Sequence, residues 1–177
     1  MKLPVLALLF MGQLAMAATS TDFRLQVSAF NNQGDIPAKF TCEGANISPA
    51  ISWSGVPEGT KSIALIVDDP DAPDPQKPEK VFTHWVLYNI PPTATKLGEA
   101  EHHFPKGTQH GSNDYSKADY AGPCPPIGKH RYFFKLFALD TNFHFMVRPS
   151  RADLEKEMAN HILAQSEVIG LYAKKNH

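Results

Sequence analysis

Three apolar runs constrain this chain more than any other feature. Residues 62–67 are apolar at every position after Ser62. Residues 81–90 form a second run, and residues 131–139, with three Phe and one Tyr, form a third. Short apolar runs bounded by turn signals read as strands buried on both faces. The turn signals are Asn31-Asn32-Gln33-Gly34, Val56-Pro57-Glu58-Gly59 and Pro91-Pro92. Residues 23–30 alternate apolar and polar, as a half-buried strand does, and residues 50–53 suit a short strand. With 15 Pro and 11 Gly in 177 residues, many turns and few long helices are expected.

The C-terminal part has a different period. Ser150 suits an N-cap, and Asp153 at the third helical position complements a helix N-terminus. Leu154, Met158, Ala159 and Ile162 recur at helical spacing, which predicts one amphipathic helix over 151–165. Residues 168–172 then read as a closing strand. The expected fold is mostly β, a sandwich with a C-terminal helix and strand. No repeat, low-complexity tract or linker divides residues 18–177, so they are expected to form a single domain.

The first residues read as a secretory signal. Lys2 is a short positive start, residues 3–13 are mostly apolar, and Ala15-Met16-Ala17 is a small-x-small cleavage site. The expectation is a signal peptide over 1–17 and a periplasmic or secreted protein. The apolar stretch is short beside the roughly 20 residues that span a membrane. No transmembrane segment is expected in the mature chain. A formal net charge of −1 provides no field that would recruit nucleic acid. Export makes a disulfide between Cys42 and Cys124, the only two cysteines, the expected state. Two buried free thiols are the alternative.

Polar, titratable groups cluster where the apolar runs end. Asp69-Pro70-Asp71-Ala72-Pro73 follows the first run. His84-Trp85 lies in the second. Residues 122–132, from Gly122 through Pro125 to His130 and Tyr132, lead into the third. Strand period places His84, Val86 and Tyr88 on one face, with Trp85 and Leu87 on the other. It also places His130 and Tyr132 together, with Arg131 pointing away. If these strand ends are neighbours, two imidazoles, a phenol and one or two carboxylates line one cavity. Imidazole N–H and phenol O–H groups are donors to anionic oxygens. Cys124, Ile127 and Gly128 are the main-chain donors that the prolines leave in the third block. Asp69 would orient an imidazole or accept a ligand ammonium.

These blocks resemble the phosphatidylethanolamine-binding protein family, also called Raf-kinase-inhibitor-like proteins, and its bacterial branch in particular. Residues 40–49 and 53–62 are similar to that branch's opening segment. The resemblance implies a β-sandwich that binds a small anionic ligand or a phospholipid head group. It implies a ligand-binding set of Asp69, Asp71, His84, Gly122, Pro125, His130 and Tyr132. It also implies a kinase or protease as a protein partner. The charged, proline-containing stretch 74–80 departs from the family pattern and bears on the rim of the pocket.

No catalytic residue, cofactor or metal is expected. The chain has no GxSxG elbow, HExxH pair or Walker loop. The competing readings are an exported hydrolase using Asp and His as acid and base, and a protease-inhibitor or interaction protein. His102, His103 and His110 lie in a polar stretch and read as solvated loop histidines rather than metal ligands. Nothing in the sequence specifies an oligomeric state.

Overall fold

The computed structural model describes residues 22–175. The predicted signal segment lies outside the described residues. Nine strands, one short 3-10 turn (Ala38–Phe40) and one α-helix make up the described fold. The strands are β1 (Arg24–Val27), β2 (Gly34–Asp35), β3 (Ile51–Ser54), β4 (Ser62–Ala72), β5 (Lys80–Ile90), β6 (Lys96–Leu97), β7 (Gln109–His110), β8 (His130–Leu139) and β9 (Ile162–Tyr172). A small sheet has the order β1-β3-β6 and a larger one the order β2-β9-β8-β4-β5-β7.

The three apolar runs are the neighbouring central strands β5, β4 and β8 of the larger sheet. Both of its faces are covered, which is why these runs show no polar alternation. One face packs toward the small sheet, with Ile63, Leu65, Val67, Trp85, Leu87, Phe134 and Leu136 meeting Leu25, Ile51 and Trp53. The other face holds Ala64, Ile66, Val86, Tyr88, Phe137 and Leu139 under the helix residues Leu154 and Met158. The sandwich with a C-terminal helix and strand is the architecture that the sequence predicts.

Three local predictions are corrected. First, helix α1 spans Arg151–Met158 rather than 151–165. Its start is as expected: Asp153 N–H donates to Ser150 Oγ, and Ser150 N–H donates to Asp153 Oδ2. Its end is set by the sheet. Residues from Ile162 to Tyr172 pair along the whole of β8, from Leu139 to His130. That ladder satisfies more backbone than another helical turn could, and Ile162 and Leu163 lie exposed. A hydrogen bond between His161 Nδ1 and Asp140 Oδ1, 2.7 Å, spans the corner between strand and turn. Second, β4 does not stop before the Asp-Pro-Asp-Ala-Pro block but continues through it to Ala72, so Asp69 is a strand residue. The Ala72–Pro73 peptide is cis.

Third, the β5 period breaks. Val67 pairs with Trp85, but Asp68 pairs with Thr83 and Asp69 with Phe82. One step along β4 therefore matches two along β5, leaving His84 as the extra residue of a β-bulge. Val86 and Tyr88 pack in the cluster under α1, whereas His84 sits against Tyr132, which belongs to the sandwich core. His84 thus does not share a face with Val86 and Tyr88. The bulge turns it to the side that also carries Asp69 and Tyr132.

Cys42 and Cys124 form a disulfide with a Cα–Cα distance of 5.4 Å. It joins the loop after the 3-10 turn to the segment leading into β8. The hydrogen bond from Cys42 N–H to the Pro123 carbonyl, 3.1 Å, runs beside it.

Candidate functional site

Where the ends of β4, β5 and β8 meet, the sheet opens into a cavity of about 510 Å³. That volume falls within the range of small-molecule sites. Asp69, His84, Pro125, His130 and Tyr132 line it, together with Phe82, Lys80, Glu79 and Tyr115. The disulfide forms part of the wall through Cys124.

Asp69 and His130 build one side. Both are buried, and Asp69 Oδ2 lies 2.7 Å from His130 Nδ1. Asp69 Oδ1 accepts the Asp71 N–H at 2.8 Å. His130 Nε2 donates to the Ile127 carbonyl at 3.0 Å. A carbonyl can only accept, so Nε2 carries hydrogen. Ile127 therefore brings an acceptor to this site, where the sequence suggested a main-chain donor.

His84 and Tyr132 form the floor. His84 Nδ1 donates to the Ala121 carbonyl at 2.6 Å, and the Ala121 N–H returns a bond to the His84 carbonyl at 3.1 Å. That exchange pins the ring and sets its tautomer: Nδ1 carries the hydrogen and Nε2 is a bare acceptor. Burial holds the His84 ring below the ordinary histidine range. The Ala121 bond and the Asp69 charge oppose this less strongly. Burial, with the nearby Asp69 charge, pushes the Tyr132 phenol well above its ordinary range, so it remains an O–H donor. Among the described residues, His84 Nε2 and Tyr132 Oη have no hydrogen-bond partner. Buried polar atoms are seldom left unpaired, because each costs about 1–3 kcal/mol.

Aromatic edges fix the floor in place. The His84 and Tyr132 rings meet edge to face at 5.2 Å, and His130 stacks on Tyr132 at 6.3 Å. Phe82 contacts both His84 (5.0 Å) and Tyr115 (5.1 Å). At the rim, Lys80 Nζ sits 4.5 Å over the Phe82 ring and pairs with Asp114 at 3.0 Å.

Two of the expected ligand residues do not reach the cavity wall. Asp71 is buried and takes three bonds from Arg131: from its backbone N–H at 2.9 Å, from Nε at 3.0 Å and from Nη2 at 2.7 Å. The Arg131 bonds hold the Asp71 carboxyl below its usual range. Gly122 donates its N–H to Asn46 Oδ1 at 2.8 Å. A Cβ there would lie 2.3 Å from the Phe40 carbonyl oxygen, so only glycine fits. Both residues support the wall without forming it.

Phe82, Tyr115, Lys80 and Glu79 were missed in the sequence. Phe82 lies beside Asp69 only because of the bulge, and Tyr115 comes from a loop with no periodic signal. Lys80 and Glu79 both lie in the charged, proline-containing stretch 74–80. His110 packs on the Phe104 ring at 4.6 Å. Among the described residues, no group of three His, Cys, Asp or Glu side chains is placed to hold a metal ion. Nor is any helix among them long and apolar enough to cross a membrane.

Comparison with known proteins agrees with this geometry. Residues 26–173 match the family described as phosphatidylethanolamine-binding protein. A UPF0098 protein of Methanothermobacter thermautotrophicus is 48% identical over 153 residues, 85% of this chain and 98% of the relative. The crystal structure of CT736 from Chlamydia trachomatis, titled a homologue of that family, superposes with a TM-score of 0.80. It shares 36% identity, covering 88% of this chain and 100% of that one. Escherichia coli YbcL, described as a new member of the mammalian phosphatidylethanolamine-binding protein family, gives a TM-score of 0.78 at 33% identity, covering 86% of this chain and 99% of that one.

Proposed function

This chain belongs to the phosphatidylethanolamine-binding protein family, and from that membership we propose that its cavity is a non-enzymatic receptor for a phosphate-type anion, free or in a phosphorylated head group. One observation carries the reading. Tyr132 lines the cavity, and its hydroxyl is a buried donor with no partner among the described residues. A ligand oxygen would complete it and recover the cost of leaving it unpaired. The volume suits a head group and is too small for a folded partner domain. The His130 ring supports binding over general-base chemistry, because its outer nitrogen already donates to the Ile127 carbonyl. We further place the protein in the periplasm or outside the cell, on the signal-like residues 1–17 and on a disulfide that an oxidising compartment would maintain.

Tyr132→Phe tests the reading with little change in packing. Hydrogen bonds to charged groups contribute roughly 1.5–3 kcal/mol. Affinity for O-phosphoethanolamine, measured by calorimetry at pH 6, should therefore fall roughly tenfold to a hundredfold. The midpoint of thermal unfolding without ligand should change little. Equal affinity in the two proteins would remove Tyr132, and with it the cavity floor, from the receptor.

A further inference from the structure

This inference rests on the receptor reading and goes on to the form of the ligand. We propose that the cavity selects a phosphate monoester carrying one proton, with His84 Nε2 accepting the P–O–H hydrogen and Tyr132 Oη donating to an ionised oxygen of the same group. Three observations support it.

The first is the His84 tautomer. Nδ1 spends its hydrogen on the Ala121 carbonyl, so the nitrogen left for a ligand is a lone pair. It cannot pair with an ionised oxygen; it needs a donor. The ring is 3% exposed, so bulk water does not satisfy it. The second is the balance of charge. The groups facing His84 are Asp69 on β4, His130 and Tyr132 on β8, and Asp114 in the loop before β8. Asp69 is already paired with His130. Lys80 is the cation on the wall, and it is already paired with Asp114 at the rim, where Glu79 also lies. Arg131 is turned to Asp71, outside the cavity wall. A dianion would therefore meet acceptors without a free cation, whereas a monoanion with one O–H meets both an acceptor and a donor. The third is the persistence of the neutral ring. Desolvation disfavours charging of His84, so the ring does not readily supply the missing proton itself.

The consequence is selectivity that size and charge alone would not provide. A sulfate monoester has the same shape but holds no proton near neutral pH. A phosphodiester, the linkage in a phospholipid head group, has no P–O–H at all. The preferred ligand class is then the free monoester, which has a second ionisation near 6.

Calorimetric titration of the intact mature protein with three zwitterions tests this: O-phosphoethanolamine, ethanolamine O-sulfate and glycerophosphoethanolamine. All carry the same ammonium group; the sulfate differs from the phosphomonoester only at the acid, and the diester also carries a glycerol arm. The monoprotonated fraction of the phosphomonoester falls roughly fiftyfold between pH 6 and pH 8, and its apparent affinity should fall with it. The sulfate and the diester should bind roughly fivefold to a hundredfold more weakly at pH 6, the loss expected when a buried acceptor is left unpaired. Charging of the His84 ring at low pH would strengthen all three ligands alike, so the comparison separates ligand protonation from ring protonation. Equal binding of the sulfate or the diester at pH 6, or a flat profile for phosphoethanolamine from pH 6 to 8, would overturn the inference and leave the receptor reading intact. Failure of all three to bind at any pH would overturn both.

Discussion

His130→Ala is expected to cost about 3–5 kcal/mol of folding stability, although His130 is only the terminal residue of β8. Its ring is fully buried and is the partner of Asp69 Oδ2, and Asp69 is itself 3% exposed. Removing the ring leaves a carboxylate in the cavity wall with only the Asp71 N–H to hold it. Breaking a buried pair from one side is costlier than deleting both partners. The double variant Asp69→Ala/His130→Ala should accordingly lose less than the sum of the two single changes. Denaturant unfolding of the four proteins measures the coupling directly. Single losses under about 1 kcal/mol that simply add would show that the two groups are not paired in the folded protein. This cost also means that a loss of ligand binding in His130→Ala does not by itself report on contact with ligand, so Tyr132→Phe is the better probe of recognition.

Removing the disulfide should have an effect of similar size by a different route. Cys42 and Cys124 are separated by 82 positions. Closing a loop of that length restricts the unfolded chain by on the order of 4 kcal/mol in the chain-entropy account. Cys42→Ala/Cys124→Ala should therefore lower the unfolding free energy by about that amount. The reduced wild-type protein should behave like the variant. Binding should weaken less than stability does, because Cys124 is a wall residue and the floor hydrogen bonds do not involve it. An oxidised wild type no more stable than the double variant would mean that the bond constrains nothing in the unfolded state.

Much of this fold and site was legible, and the reasons for the gaps differ. The central strands could be read because burial on both faces leaves no polar interruption. A period of two puts His130 and Tyr132 on one face, and the family resemblance adds Asp69 to them. His84 lines the cavity, but strand alternation is not what puts it there. The alternation that put it with Val86 and Tyr88 fails at a bulge, and a bulge is set by pairing between β4 and β5 and not by β5 alone. The helix was overextended because Ile162 satisfies a helical spacing as well as a strand spacing, and only the β8 ladder decides between them. Asp71 and Gly122 show another limit. A motif contains the residues that touch a ligand and those that hold the loop in place. Arg131 beside Asp71, and the Phe40 carbonyl against Gly122, are long-range contacts that no local pattern announces. Tyr115 reaches the cavity from a loop without any period, and Lys80 arrives through the stretch that departs from the family.

The central claim is that Asp69, His84, His130 and Tyr132 surround one receptor for a phosphate-type group. A crystal structure of the protein soaked with O-phosphoethanolamine at pH 6 tests it most directly. The account predicts the phosphoryl group on the cavity floor, with one oxygen within hydrogen-bonding distance of Tyr132 Oη and another facing His84 Nε2. A phosphoryl group bound only in another cavity, such as the separate groove of about 480 Å³ lined by Tyr88, His110 and Arg148, would contradict it.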